Sequence, residues 1–289
     1  MGDFNMKGLK KLLGLTLAAM MTISLVGCSS SNDEGDTGEV TDKLQQIKDA
    51  GVLKIGTSAE YSPYEFHKVV DGEDKIVGFD DFMVQEMAKD MGVKVEYTDM
   101  DFDGLLGALQ ADKVDIVLAG MTPNEKRKKS VDFSEIYYTN SNVCIVSKGK
   151  EDIIKTSDDL KNLKVGVQKG TTQADYVTGS TEDGGLGITD ATQLKKVPDL
   201  MLELQNGKID VIVTGKAVAQ INVKNYKNVS IGNTTVGDEL AETAAAAIKK
   251  SDDKVDNTAF LKSINDAIAK LEKEGKIDEY MQQALELAQ

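Results

Sequence analysis

Two segments of the chain have almost the same pattern, and this internal repeat constrains the fold most. KVDIVLAG at 113–120 is matched by KIDVIVTG at 208–215. An amphipathic helical pattern precedes each copy, at 102–109 and at 199–204. Since short buried strands that alternate with helices favour parallel-rich α/β sheets, the repeat predicts two α/β lobes.

The strands and helices predicted around the repeat indicate which edge of each sheet would bind a ligand. Strands are predicted near 52–56, 93–97, 114–118, 142–147, 163–167, 194–197 and 209–213, and helices near 80–91, 102–110, 172–178, 199–206, 217–222 and from 257 onward. Ligands of such sheets bind beyond the carboxyl ends of the strands. Those ends are the loops after Gly56, Leu118, Val167 and Val213.

The tail predicts how the lobes are joined. Apolar residues at helical spacing after Asn257 predict helices that pack on the first lobe. The chain would then cross between lobes twice, near 138–143 and 239–246, which makes a hinge. We therefore assign 41–140 together with 243–289 to lobe 1, and 141–242 to lobe 2.

The N-terminus has the pattern of an exported protein. Lysines at 7, 10 and 11 precede a short apolar run that ends in LVGC at 25–28, so 1–27 is predicted to be a signal peptide. LVGC resembles the bacterial lipobox, which implies a lipid on Cys28; an ordinary signal peptide with an incidental cysteine is the alternative. Residues 28–40 are polar and predict a flexible tether. This places the protein outside the cytoplasm, on the outer face of the cell membrane.

Charge and cysteine content exclude several classes. The formal net charge of −14 argues against nucleic-acid binding and against adhesion to anionic lipid. Cys144 is the second of two cysteines, so with Cys28 lipidated no internal disulfide is available. We expect Cys144 to be a small buried residue on a strand. No cluster has metal-ligand spacing, and no cofactor is expected.

The stretch 122–127, TPNEKR, is the most informative short motif. Thr122 and Glu125 fit a capping box with Pro123 at the first helical position, so a helix is predicted to begin at the ligand-facing edge. Arg127, one turn in, can offer two parallel N–H groups to a carboxylate. A solvated cluster of basic residues is an equally acceptable interpretation.

A second stretch, GTTQAD at 170–175, predicts the same arrangement in lobe 2. Thr172 is a plausible N-cap with Asp175 three residues on. Two helix N-termini would then converge on one small anion, and a carboxylate fits better than phosphate because no phosphate loop is present. Tyr61 and Phe102 could sandwich the apolar part of a ligand, or simply pack in the core, as could Tyr64 and Phe66, which cluster with them.

An ordered series of motifs over 41–289 resembles one family. They are GTSAEYSPYEF at 56–66, VGFD at 77–80, DFDGL at 101–105, GMTPNEKR at 120–127, VDFS at 131–134, YY at 137–138 and VGVQKGTTQ at 165–173. The series is similar to the polar amino-acid substrate-binding proteins of ABC transporters, the bacterial extracellular solute-binding proteins of family 3. The resemblance implies a type II periplasmic-binding-protein fold, with two α/β lobes joined by a two-strand hinge.

The resemblance also implies a ligand site. Arg127 would hold the ligand's α-carboxylate with help from the Gly120 and Thr122 amides and the region of Thr171 and Thr172. The full set of expected ligand-binding residues is Ser58, Tyr61, Phe102, Ala119, Gly120, Thr122, Arg127, Gln168, Thr171, Thr172, Gln173 and Gly215.

Two of these positions depart from the family pattern. Members that bind basic amino acids have an acid where Ser58 stands, and most members have an acid where Gly215 stands, to hold the ligand's ammonium group. Without those acids the ammonium group needs another carboxylate, for which Glu60 and Glu242 are candidates, or the ligand is not a standard α-amino acid.

The function expected is that of a monomeric, non-enzymatic receptor. It would capture an amino acid by lobe closure and deliver it to an ABC-transporter permease. A dehydratase of the same fold acting on a small carboxylate is the alternative; its support is weak, because the one histidine, His67, lies in a polar loop and no nucleophile has evident partners. A sensor lipoprotein is a third possibility, disfavoured because no transmembrane output segment is fused.

Overall fold

The computed structural model describes residues 40–237 and 241–289. The predicted signal peptide, Cys28 and nearly all of the predicted tether lie outside these residues. Among the helices that are described, none is both long and apolar enough to cross a lipid bilayer.

The described residues form 17 strands and nine α-helices. The strands are β1 Thr41–Asp42, β2 Val52–Thr57, β3 Glu60–Tyr61, β4 Glu65–Val70, β5 Glu73–Val77, β6 Lys94–Asp99, β7 Ile116–Val117, β8 Val131–Phe133, β9 Tyr138–Asn140, β10 Asn142–Ser147, β11 Val165–Gln168, β12 Thr192–Leu194, β13 Val211–Gly215, β14 Val229–Thr235, β15 Glu242–Ala244, β16 Ala247–Lys249 and β17 Val255–Asp256. The helices are α1 Lys43–Ala50, α2 Phe79–Met91, α3 Leu105–Gln110, α4 Glu125–Lys128, α5 Thr172–Thr178, α6 Val197–Gln205, α7 Lys216–Asn225, α8 Thr258–Lys273 and α9 Lys276–Leu287.

Two five-stranded sheets have the same topology, as the internal repeat predicts. The first has the order β6-β2-β7-β16-β8 and the second the order β12-β11-β13-β10-β14. In the first, β2 pairs in parallel with β6 and β7, and β16 is antiparallel to both its neighbours. In the second, β11 pairs in parallel with β12 and β13, and β10 is antiparallel to both its neighbours. One strand in each sheet therefore runs against the other four.

Each of these two antiparallel strands follows directly after a segment that connects the two sheets. β9 leads directly into β10, and β15 leads into β16. β9 and β15 pair antiparallel with each other, with Asn140 opposite Glu242 and Tyr138 opposite Ala244. The two crossings are thus a hydrogen-bonded ribbon anchored in a buried strand at either end.

A small three-stranded sheet, β3-β4-β5, was not predicted from the sequence. Its strand β5 is charged and exposed, so it lacks the apolar alternation by which a strand is recognised. The turn that joins β4 to β5 does carry a local signal: Asp71 and Gly72 both have positive φ, as a type I′ hairpin turn requires. The Asp-Gly pair could therefore have revealed the hairpin.

The C-terminal helices pack against α2 on the first sheet. Phe260, Ile264, Ile268 and Leu271 of α8 are buried, as their helical spacing predicts. In α9, Tyr280 lies with its ring 5.4 Å from that of Phe82 in α2.

Cys144 is free and fully buried on β10, where its environment is apolar. The largest buried apolar cluster contains residues of both sheets, and each sheet has a smaller cluster of its own.

Gly78, the N-cap of α2, is placed where a side chain cannot fit. The first N–H groups of α2, those of Phe79 and Asp80, donate to the carbonyl oxygens of Pro63 and Tyr64. A Cβ atom on Gly78 would lie 2.3 Å from the Tyr64 oxygen, and its φ is +138°. Glycine is therefore required for backbone carbonyls to cap this helix.

We expect Gly78→Ala to lower the free energy of unfolding by about 3 kcal/mol or more, because it combines backbone strain with the loss of two capping hydrogen bonds. Gly92→Ala is the matched control: Gly92 has φ +75° but no atom within 4 Å of the added Cβ. The control should cost about 1 to 2 kcal/mol. Urea denaturation of both variants measures the difference, and equal losses would contradict this account.

Candidate functional site

A cavity lies between the two sheets, beyond the carboxyl ends of β7 and β11. It encloses about 260 Å³ of empty space, part of which is open to solvent. Its lining residues are Tyr61, Phe102, Ala119, Gly120, Thr122, Arg127, Gln168, Thr171, Thr172, Gln173 and Glu242. All the expected ligand-binding residues are thus brought together except Ser58 and Gly215, which are buried outside the lining.

Arg127 is buried in the wall of this cavity, with 8% of its surface exposed. Its Nη1 donates to the carbonyl oxygen of Thr122, and its Nη2 donates to that of Gly170 at 2.9 Å. Its guanidinium carbon lies 5.4 Å from the centre of the Phe102 ring. Within the described part of the chain no carboxylate forms an ion pair with it. Burial lowers the Arg127 pKa to about 10, with Asp175 opposing the shift, so the group is charged at neutral pH.

The helix starts near Arg127 and in the second lobe differ from those predicted by one or two residues. The N-cap of α4 is Asn124, whose side chain accepts the Arg127 N–H, whereas Thr122 donates its hydroxyl to Thr243. The N-cap of α5 is Thr171, which accepts from the Ala174 N–H, and not Thr172. Both capping predictions were wrong because several adjacent residues had suitable oxygens. At α4 the Thr122 hydroxyl is bonded instead to Thr243.

Glu242 is the carboxylate of the cavity. It stands on the hinge strand β15 and is 2% exposed. Its Oε1 accepts a hydrogen bond from the Tyr61 hydroxyl at 3.1 Å, while Oε2 accepts none from any described residue. Burial raises the Glu242 pKa to about 7, and the hydrogen bond from the Tyr61 hydroxyl opposes the shift most. A buried carboxylate with an unused oxygen is costly unless a cation meets it.

The missing side chain at position 215 explains where Glu242 lies. A Cβ atom on Gly215 would be 1.8 Å from Oε1 of Glu242 and 2.1 Å from its carboxyl carbon. The Glu242 carboxyl group therefore occupies the volume into which a residue at 215 would project. An acid on the hinge strand therefore fills the place where the resemblance implied an acid on the second lobe.

Glu60, the other acid considered from the sequence, does not line the cavity. It reaches across the cleft: Oε1 accepts from Nε2 of Gln168 at 2.6 Å, and Oε2 accepts from the Val197 N–H at 3.0 Å. Burial raises the Glu60 pKa to about 7, and the hydrogen bond from Val197 opposes the shift most. Glu60 is a contact between lobes in this closed arrangement.

The aromatic residues separate into lining and support. Tyr61 and Phe102 line the cavity, whereas Tyr64 is buried behind Tyr61. The Tyr61 and Tyr64 rings stack with centroids 5.6 Å apart and planes at 21°. Phe66 also belongs to the buried set. Only the first two rings can therefore touch a ligand.

A pair of buried acids beneath the cavity was missed by the sequence analysis. Asp80 accepts hydrogen bonds from the Gly120 N–H at 2.7 Å and from the Tyr137 hydroxyl at 2.9 Å. Burial raises the pKa of Asp80 to about 7, and burial beside Asp80 raises that of Glu65 well above its usual value. Because the Gly120 N–H is used by Asp80, it is not the carboxylate donor that the resemblance implied.

His67 stays outside the site. Its ring nitrogens lie 3.0 Å and 3.2 Å from carboxylate oxygens of Asp74 and Asp99, and its side chain is 45% exposed. Hydrogen bonding to Asp99 raises its pKa. No group of His, Cys, Asp and Glu in the described ranges could hold a metal ion.

Comparison with known proteins identifies the family. Residues 53–286 match the model of the bacterial extracellular solute-binding proteins, family 3. The chain is 35% identical to the arginine-binding extracellular protein ArtP of Bacillus subtilis (strain 168), over 93% of this chain and 96% of that protein.

Solved structures agree. The substrate-binding protein of an amino acid ABC transporter is 39% identical, with a TM-score of 0.70, covering 80% of this chain and 98% of that one. An amino acid ABC transporter substrate-binding protein from Streptococcus pneumoniae Canada MDR_19A, bound to L-arginine, is 30% identical with a TM-score of 0.77, covering 85% and 98%. These matches confirm the type II periplasmic-binding-protein fold predicted from the motifs. The chain therefore belongs to the bacterial extracellular solute-binding proteins of family 3.

Proposed function

We propose that this protein captures an α-amino acid outside the cytoplasm by closing its two lobes and delivers it to the permease of an ABC importer. The observation that carries the proposal is the pairing of one buried cation, Arg127, with one buried carboxylate, Glu242, in the lining of a single small cavity. An α-amino acid is the complementary zwitterion. The matched relatives are solute-binding proteins, which favours binding over the dehydratase alternative.

Arg127 would hold the ligand's carboxylate. A guanidinium has five N–H donors, and two are used here on the Thr122 and Gly170 carbonyl oxygens. Those two bonds fix the plane of the group and leave the other donors for a ligand. A carboxylate bound in this way neutralises a buried charge that no carboxylate in the described part of the chain pairs with.

Glu242 would hold the ligand's ammonium group. Its position against Gly215 makes it the substitute for the acid that the family pattern lacks here. The bond from Tyr61 orients the carboxyl group through Oε1 and leaves Oε2 for the ligand. Because Glu242 stands on β15, this contact would tie the ligand to the hinge itself.

Lobe closure would complete the site. In this closed arrangement contacts join the lobes around the cavity: Arg127 to Gly170, Lys195 to Asp101 at 2.5 Å and Lys169 to Asp103 at 2.7 Å. Exclusion of water strengthens the charge-assisted bonds to the ligand. Bending of the two-stranded ribbon β9–β15 is the simplest motion that opens the cleft.

The N-terminal pattern supports attachment to the membrane. LVGC at 25–28 would be cleaved and acylated on Cys28, and the polar residues up to 40 would tether a monomeric receptor to the outer face of the membrane. This fits an extracellular family. Cys28→Ala should move the protein from the membrane fraction to the medium, as seen by fractionation and immunoblotting; retention in the membrane would contradict the anchor.

We expect Arg127→Ala to weaken amino-acid binding by at least about 100-fold, because a buried ligand carboxylate would lose its charged partner. Lys126→Ala is the matched control: its side chain is 81% exposed and its closest acid, Asp175, is 3.6 Å away. Calorimetry with a panel of amino acids measures both. Undiminished affinity of the Arg127 variant would remove the proposed anchor.

Glu242 gives binding a pH dependence. With a pKa raised to about 7, it is increasingly protonated as pH falls below 7, and only the carboxylate can pair with an ammonium group. Affinity should therefore level off near pH 8 and fall as the pH drops through 7, approaching about tenfold per unit below it. Arg127, with its pKa near 10, does not titrate in this range.

The variant Glu242→Gln isolates this effect from Glu60 and Asp80, whose pKa values are also raised to about 7. It should bind at least about tenfold more weakly at pH 7.5 and lose most of the slope between pH 5 and 7.5. Dissociation constants of the variant and of the unmodified protein, measured over this pH range, test whether Glu242 causes the pH dependence. A slope that persists in the variant would assign it to another group.

A further inference from the structure

The polar lining of the cavity, apart from Arg127 and Glu242, is uncharged. Among the described residues it consists of the hydroxyls of Tyr61, Thr122, Thr171 and Thr172 and the amides of Gln168 and Gln173. If the two charged residues hold the α-carboxylate and α-ammonium groups, no charge in this lining is left for the ligand's side chain. The part of the cavity that holds the ligand's side chain can therefore select it only by which lining groups donate and which accept hydrogen bonds.

Gln168 is the residue whose amide orientation is fixed. It lies at the end of β11 and is 5% exposed. Its Nε2 donates both to Oε1 of Glu60 at 2.6 Å and to the carbonyl oxygen of Lys195 at 3.1 Å. Both partners are acceptors, so a flipped amide would set oxygen against oxygen on both. The two N–H donors of Gln168 are thus used, and Oε1 is the group that remains to meet a ligand.

Glu60 cannot serve as a counter-charge for the ligand while it does this. Its second oxygen accepts the Val197 N–H at the start of α6, a helix whose N-cap residue, Lys196, makes no side-chain capping bond. Glu60 thus supplies from the first lobe the cap that α6 lacks. Both carboxylate oxygens are engaged across the cleft.

The two other acids near the cleft mouth are also paired. Asp101 and Asp103 form ion pairs with Lys195 and Lys169 across the lobes. In the described lining of the cavity a cationic ligand side chain would therefore find no carboxylate other than Glu242. It would also lie near the Arg127 guanidinium if it stacked on Phe102.

We propose that the site selects an α-amino acid whose side chain is uncharged and ends in an N–H or O–H donor, as a carboxamide does, and that Gln168, oriented by Glu60, is the residue that selects it. The inference rests on the proposed function and adds the substrate class to it. Gln168 touches the ligand, whereas Glu60 is a positioning residue that acts through Gln168.

The chemistry predicts two rejections. A side-chain carboxylate of the same shape would place its oxygens against Oε1 of Gln168. It is repelled by that oxygen and, above pH 7 where Glu60 is ionised, also by the Glu60 charge directly behind. A guanidinium or ammonium side chain would have to leave water without a charged partner. A carboxamide has the required donor and carries no charge.

The first test compares ligands of matched shape on the full mature protein, freed of endogenous ligand by unfolding and refolding. Calorimetry with L-glutamine, L-asparagine, L-glutamate and L-arginine should give a carboxamide ligand at least 100-fold tighter than glutamate and at least tenfold tighter than arginine. Tightest binding of glutamate or arginine would overturn the inference. It would leave the proposed function intact, whereas failure of a full amino-acid panel to bind would overturn the proposed function itself.

The second test addresses Glu60 with the isosteric variant Glu60→Gln. A neutral amide at 60 can donate or accept, so one of the two acceptors that fix the Gln168 amide is lost. A flipped Gln168 that offers its NH₂ group to the ligand is then opposed only by the Lys195 carbonyl oxygen. The preference for glutamine over glutamate should shrink at least tenfold, through tighter glutamate binding as well as weaker glutamine binding.

Lys126→Ala is the matched control, since it removes another contact between the lobes, the ion pair with Asp175 at 3.6 Å, and neither residue is hydrogen-bonded to Gln168. It should change the affinity for both ligands by the same factor and leave their ratio unchanged. An unchanged ratio in Glu60→Gln, or an equal shift of the ratio in both variants, would show that Glu60 only holds the lobes together and does not orient Gln168.

Discussion

A buried guanidinium that pairs with no carboxylate of residues 40–237 and 241–289 is the feature on which the rest of the site depends. Arg127 keeps its charge at neutral pH although burial lowers its pKa to about 10, and its fixed bonds run to backbone oxygens of both lobes. Such a group is stabilised fully only when an anion joins it. Glu242 lies in the same cavity as a buried carboxylate, and its Oε2 accepts no hydrogen bond from the described residues. Together the two leave a gap with the charge pattern of a zwitterion.

The hinge is part of this site and not merely a connection to it. β9 and β15 pair with each other and continue into β10 and β16, the antiparallel strands of the two sheets. Glu242 lies on β15, so a group that binds its carboxylate acts on the element about which the lobes turn. Tyr137, next to β9, is in turn held by Asp80, which also holds the Gly120 amide. The buried acids below the cavity thus couple the lining of the first lobe to the same ribbon.

Selectivity for the ligand's side chain arises at Glu60 and Gln168, away from the hinge. Glu60 of the first lobe takes the place of a helix cap in the second and at the same time fixes the amide of Gln168. This geometry exists only when the lobes meet. Closure and recognition of the side chain are therefore one event, which explains how a cavity lined largely by neutral groups can still distinguish ligands of equal size.

The sequence by itself determined the two-lobe α/β architecture and the double crossing, because these follow from local periodicity and an internal repeat. Most of the cavity lining was implied by the resemblance of an ordered set of motifs to one family. The sequence also named Arg127. It left open which acid stands near the ligand's ammonium group, placed two helix caps one or two residues away from their true positions, and missed the β4–β5 hairpin and the pair Glu65 and Asp80. Only the tertiary structure decided that Glu242 fills the space beside Gly215 and that Glu60 turns to Gln168. The reason is physical: these contacts join residues far apart in the chain, and no local pattern records which side chains meet across a cleft.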